Sequence, residues 1–233
     1  MTKIEEILST AKEEFRKALF EHEAKTLLKE LNIDTPDFAP VRSPEEAVRT
    51  AEEFGYPVAL KVISPQIIHK SDAGGVVLNL RNANEVRAGC EAVISNARRF
   101  NPAAEIRGVL LEKMVPPSHE IIIGTTTDPQ FGPTLMLGMG GIYVEIYKDV
   151  TFRVAPINRQ EALEMIDELK GSKVLKGYRG QAASDVGAIV DLLLKAANLA
   201  MKYEAIDQID LNPVVVYPKG LKVVDTRIIL KKE

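Results

Sequence analysis

The sequence predicts an α+β fold built from antiparallel hairpins, and three observations carry that expectation. Short β-branched runs such as YPVALKVIS, VVLNL, IRGVLLEKMV and HEIIIGTTTD alternate with amphipathic stretches. They do so too irregularly for strict strand–helix–strand repetition. Turn residues join neighbouring runs: Pro116-Pro117 between two of them, and Pro218-Lys219-Gly220 between the last two. A chain of 233 residues is also long enough for one large domain or two small ones with proper cores.

Each element has its own signal. Residues 4–31 place apolar side chains at helical spacing, which predicts one long helix or two joined near His22. NIDTPDFAPV reads as a loop and a short strand. Ser43-Pro44-Glu45-Glu46 opens a helix, with Ser43 as cap, Pro44 in the first turn and Glu46 closing a capping box. Gly55 ends it. YPVALKVIS and VVLNL are strands, and Ala83–Phe100 is a helix. IRGVLLEKMV, HEIIIGTTTD, PTLMLGMGG, IYVEIYKD and TFRVAP continue a strand-rich stretch. Asn158-Arg159-Gln160-Glu161 starts another helix. Val186, Ile189, Val190, Leu193, Leu194 and Ala197 form the apolar face of a further one. QIDLNPVVVY and LKVVDTRIIL close the chain as a hairpin.

Composition narrows the function. A net charge of −3 offers no basic field for nucleic acid. No apolar run approaches the ~18 residues of a membrane span. The N-terminus is charged and amphipathic, unlike a secretory signal, so the expected location is cytoplasmic. Cys90 lies in a helical stretch and reads as a small buried apolar residue.

Several residues are placed where chemistry is possible. Lys61 sits between apolar strand residues and must either snorkel to water or meet an anion such as phosphate. Glu112 and Glu120 flank the Pro-Pro connection, either as solvated strand ends or as partners for ribose hydroxyls. Gly74-Gly75 and the GMGG run at 138–141 are turns where backbone amides can approach a ligand, a weak signal in isolation. Neither GxxxxGK[ST] nor GxGxxG occurs. Asp210 and Asn212 share a strand face by alternation, and the hairpin can bring Asp225 beside them. Such an oxygen set suits Mg²⁺. The three histidines and one cysteine lack zinc spacing, and His22 and His119 read as structural or exposed.

The order LK on a strand, HKSDAGGV, LLEKMV, HE, GMGG, FRVAP, DLNP and VVDTR resembles the ATP-grasp β subunits of ADP-forming acetate–CoA ligases, with succinyl-CoA synthetase β subunits as more distant relatives. HKSDAGGV together with DLNP is specific as a set. The resemblance runs from about residue 15 to the C-terminus. It implies two α+β subdomains enclosing a nucleotide, at 15–114 and 115–233, after a helical extension at 1–14. It implies ATP/ADP and Mg²⁺, with Lys61 and Arg153 on phosphates, and Glu112 and the backbone near Met114 on adenine. Glu120 falls on ribose, and Asn212, Asp225 and nearby Asp210 on the metal. It implies that His69 relays phosphate from a partner-subunit histidine to ADP, with the Gly74-Gly75 loop mobile and Asp72 orienting the ring or helping to hold metal. An α subunit carrying the CoA-binding domains would complete an α₂β₂ complex. The alternatives are another ATP-grasp carboxylate ligase, which leaves His69 without a task, or a non-catalytic nucleotide-binding regulatory subunit.

Overall fold

A computed structural model describes residues 1–141, 148–180 and 182–231. The chain separates into two compact units. One comprises Phe20–Thr26 and Pro36–Pro116, the other Met1–Leu19, Leu27–Thr35 and Pro117–Glu233.

The smaller unit is a four-stranded antiparallel sheet in the order β1 (Phe38–Val41), β4 (Gly108–Lys113), β2 (Val58–Ile63), β3 (Val76–Leu80). Helices α3 (Pro44–Phe54) and α4 (Ala83–Phe100) pack on it. Val58, Leu60, Val62, Val109 and Leu111 join Ala47, Ala51, Val86 and Val93 in one core. Strand alternation sends the intervening residues to the opposite face. There Ile63 and Leu110 pack with Phe20 and Phe38. Ala59 pairs with Glu112 and Lys61 with Leu110, so Lys61 and Glu112 belong to that second face. Ser43 caps α3 by accepting from the Glu46 N–H. The Glu46 carboxylate takes the N–H of Arg42 and not that of Ser43, so the expected box closes one residue early.

The larger unit is a sheet in the order β10 (Thr226–Leu230), β8 (Ile206–Val216), β5 (His119–Asp128), β6 (Gly132–Met139), β7 (Val150–Val154). A short β9 (Leu221–Val223) pairs with β8 at Val214–Val216, and β10 pairs with its other end. The final hairpin is thus split by Val224-Asp225 into two strands. Helix α7 (Val186–Lys202) lays Ile189, Val190, Leu193 and Ala197 on β5, β6 and β8, while Leu194 is only half-buried. Helix α5 (Arg159–Glu168) begins with Asn158 and Glu161 in a full capping box, and the single turn α6 (Ser172–Leu175) follows it. The predicted strand IYVEIYKD lies, for 142–147, outside the described residues.

The N-terminal helical pattern resolves into α1 (Lys3–Glu13) and α2 (Glu21–Glu30), with the break before His22 and not at it. Phe15 takes a left-handed φ of 54°, and Ala18 forms a bridge with Ile229. The N–H of Leu19 donates to Ile228 O at 3.0 Å and that of Leu230 to Lys17 O at 2.9 Å. Pairing with a strand more than 200 residues away overrides the helical periodicity. Residues 1–14, expected as a helical extension, fall within the larger unit.

Candidate functional site

In the smaller unit, the second sheet face carries a buried cluster of charges. Lys61 is 5% exposed and Glu112 2%. Neither snorkels. Helix α2 covers them with Glu21 and Lys25, four residues apart and therefore on one helix face. Lys61 Nζ lies 2.6 Å from Glu21 Oε1 and 3.2 Å from Glu112 Oε2. Lys25 Nζ lies 3.1 Å from Glu21 Oε1 and also donates to Glu112 Oε2. Lys70 Nζ approaches Glu21 Oε2 at 3.0 Å. Sequence reading singled out Lys61 and Glu112 but passed over Glu21 and Lys25 as part of an amphipathic helix. Their i,i+4 spacing in EHEAK was the available signal.

Burial alone would raise the Glu21 pKa. The ammonium groups of Lys61, Lys25 and Lys70 outweigh it and hold the carboxyl well below the usual carboxylate range. The folded-state value lies below the ordinary 4.5, so protons bind the unfolded chain first. This contribution to stability is complete above pH 4.5 and is lost as pH falls toward the folded value. Urea unfolding of Glu21→Gln is therefore expected to vary less steeply with pH below 4.5 than that of the parent chain. Equal slopes would show that Glu21 is not held ionised.

His69 stands exposed beyond the end of β2, beside Ile68 (37% exposed). The loop after it is fastened from within. The N–H of Gly74 donates to Ser71 O at 3.0 Å and that of Gly75 to Lys70 O at 2.8 Å. These amides are engaged by their own loop instead of opening as an anion nest. A side chain on Gly75 would place its Cβ 2.6 Å from Val62 Cγ1, so the backbone approach needs glycine. Met114 directs its N–H to Pro57 O at 3.1 Å and its sulfur toward the N–H of Asn79.

In the larger unit, Glu120 is exposed at the start of β5. Gly140 donates its N–H to Glu120 O at 2.7 Å, and a Cβ there would sit 2.7 Å from Glu120 Cβ, so this one glycine of the GMGG run is required by close packing. The N–H of Asn212 donates to Asp225 O at 3.1 Å, which sets the two residues side by side. Asp225 also accepts the N–H of Thr226 at 2.9 Å. Asp210 pairs with Arg227 at 2.9 Å, on a groove that Gly124, Thr126, Met136 and Phe152 also line. Arg153, expected near phosphate, is paired with Glu168. Among the described residues no three His, Cys, Asp or Glu side chains gather to hold a metal by themselves.

Other candidates are structural. His22 stacks on Phe20, with ring centroids 5.7 Å apart. Cys90 is buried, and burial, helped by Glu45 and Glu91, pushes its thiol up to about 11, the opposite of a reactive cysteine.

Comparison with known proteins places this geometry. A family model described as ATP-grasp domain matches residues 10–230. The β subunit of acetate–CoA ligase (ADP-forming) I from Pyrococcus furiosus is 46% identical over 230 residues, covering 99% of each chain. Acetyl-coenzyme A synthetase 1 of Ca. Korarchaeum cryptofilum, solved with coenzyme A and Ca-AMPCP, superposes with a TM-score of 0.93 at 49% identity, covering 97% of this chain and 99% of that one. The same enzyme with a phosphorylated phosphohistidine segment gives a TM-score of 0.88 at 46% identity, covering 98% and 100%. By sequence over its whole length and by fold, the chain belongs to the ATP-grasp family, among the β subunits of ADP-forming acetate–CoA ligases.

Proposed function

We propose that this chain is the nucleotide-binding subunit of an ADP-forming acyl-CoA synthetase, catalysing acyl-CoA + ADP + phosphate ⇌ carboxylic acid + ATP + CoA with an α subunit that carries the CoA-binding domains. The carrying observation is the position of His69. It is exposed, and its neighbour Lys70 is tied to the carboxylate that also holds Lys61. A ring nitrogen of His69 attacks the phosphorus of the partner's phosphohistidine: the new N–P bond forms as the partner's P–N bond breaks, the partner's imidazole keeps the electron pair and takes up a proton, and His69 gives up its ring proton. In the second step a terminal oxygen of ADP attacks that phosphorus. The new P–O bond forms as the P–N bond breaks, and the ring nitrogen keeps the electron pair and takes up a proton.

Lys61 is assigned to the nucleotide phosphates, Glu112 and the Met114 backbone to adenine, and Glu120 to ribose. Arg153 reaches phosphate only on leaving Glu168. Gly74 and Gly75 shape the loop that presents His69. Mg²⁺ fits Asn212 and Asp225: both offer oxygen, they are neighbours, and a Mg²⁺ site completed by substrate phosphates needs only one or two protein ligands. When bound, the cation offsets the charge of the transferring phosphoryl group. Asp210 stands two residues from Asn212, with Arg227 as its partner. The working assembly is assigned as α₂β₂, in the cytoplasm.

The test is direct. The complex is given acetyl-CoA and labelled phosphate without ADP, and this chain is searched by mass spectrometry for an acid-labile phosphate. Label on His69 that passes to ATP on adding Mg·ADP is the expected result. A complex that turns over with no label on His69 refutes the relay.

A further inference from the structure

Among the described residues the buried cluster brings together three lysines and two glutamates, whose charges sum to +1 (3 − 2). Glu21 touches all three lysines. Its Oε1 faces Lys61 and Lys25, and its Oε2 faces Lys70. These cations come from different segments: Lys61 from β2, Lys25 from α2, and Lys70 from the loop one residue beyond His69. Lys70 is the outermost, with its side chain 20% exposed against 7% for Lys61 and 0% for Lys25.

The loop is fastened on both sides of its histidine. Ile67 is buried at 3% on one side. On the other, Lys70 O accepts the Gly75 N–H, Gly75 O accepts the Val62 N–H at 2.8 Å, and Asn96 Nδ2 donates to Gly74 O at 3.0 Å. Ile68 and His69 are thus a short exposed bridge between Ile67 in the core and Lys70 on Glu21. A long, partly exposed lysine would otherwise keep much of its rotamer freedom.

We propose that Glu21 is a positioning residue for the phosphoryl transfer: one carboxylate sets His69 through Lys70 and sets Lys61 directly. The inference rests on the relay reading above and extends it to helix α2, outside the motifs that identify the family. Transfer needs reacting atoms in near-contact geometry, and a misplacement of about 1 Å costs on the order of 10²-fold in rate. A shared carboxylate keeps the two groups in register because neither lysine can shift without disturbing the charge that holds the other.

The test is a double-mutant cycle in the reconstituted complex. Phosphoenzyme is formed from acetyl-CoA and phosphate, and ATP formation is followed after rapid mixing with Mg·ADP. Parent, Glu21→Gln, Lys70→Met and the double variant are compared. Each single variant is expected to slow the step on the order of 10²-fold. Lys70→Met leaves the ADP dependence within about threefold, whereas Glu21→Gln also weakens it through Lys61. The double variant should be no slower than the slower single one, because both break the same tie. Lys70→Arg should recover most of the rate. Should Glu21→Gln not fold, Lys70→Met and Lys70→Arg still decide: an unchanged rate in Lys70→Met, or no recovery in Lys70→Arg, overturns the proposal. Single effects that multiply in the double variant also overturn it, while leaving the relay intact. A parent complex that never carries phosphate on His69 overturns both.

Discussion

His69→Ala is expected to lower net ATP formation by the complex by about 10⁴-fold or more, the scale seen when a covalent nucleophile is removed. Binding of Mg·ADP to this chain should change by less than about threefold, since the assigned nucleotide contacts are on other residues. The difference between these two numbers is the informative quantity. His69 is exposed and lies outside both hydrophobic clusters of its unit, so removing the ring opens no core cavity. The neighbouring anchors, Ile67 and Lys70, do not depend on it for burial or for the pairing with Glu21. Thermal unfolding of the variant should therefore match the parent within about 2 °C. Steady-state turnover, ADP titration and a melt together make the check. Turnover within tenfold of the parent, with the α subunit present, would mean that phosphate reaches ADP without this histidine. The chain would then be an ATP-grasp subunit of a different kind, with the HKSDAGG loop in a structural role.

The fold was legible to different degrees for identifiable reasons. Strands β2 and β4 announce themselves because one face feeds a dense core and their β-branched residues fit it. Caps at Ser43 and Asn158 are local chemistry, and the structure keeps both. The break between α1 and α2 was not legible, since it is set by Leu19 pairing with Ile228 and Lys17 with Leu230 across the length of the chain. The site divides in the same way. Lys61 is conspicuous because a lysine in an apolar strand needs an explanation. Glu21 and Lys25 look like any solvated helix pair until the sheet is seen beneath them. Asn212 and Asp225 are adjacent because β8 pairs with both β9 and β10, which the periodicity of the single predicted hairpin only approximates. Gly140 is one glycine among three in the GMGG run, and only the approach of Glu120 distinguishes it.

Lys25→Met is expected to destabilise the chain by about 3–5 kcal/mol, the usual cost of breaking a buried ion pair from one side. For a chain of this length that is a fall in melting temperature of roughly 6–20 °C. Counting charges alone argues otherwise, because the cluster would pass from +1 to neutral. Local pairing decides against that count. Lys25 is fully buried, and Glu112, with its side chain 3% exposed, receives Lys25 more closely than it receives Lys61 at 3.2 Å. Without Lys25, Glu112 keeps one longer contact and no access to water, while Lys61 is drawn between two carboxylates. Cation–π contact of Lys25 with Phe38, at 5.8 Å, is lost as well. Exposed Lys3, paired with Glu6 where both side chains are about half exposed, is the control: Lys3→Met should change stability by less than about 0.5 kcal/mol. Lys25→Met/Glu112→Leu separates the two arguments. It restores the net charge of +1 and leaves no stranded carboxylate, so it should regain a large part of the lost stability, as apolar replacement of a whole buried pair commonly does. A single variant that melts with the parent would show that charge balance governs the cluster. A double variant less stable than the single one would show that Glu112 does not depend on Lys25 for its place beneath α2.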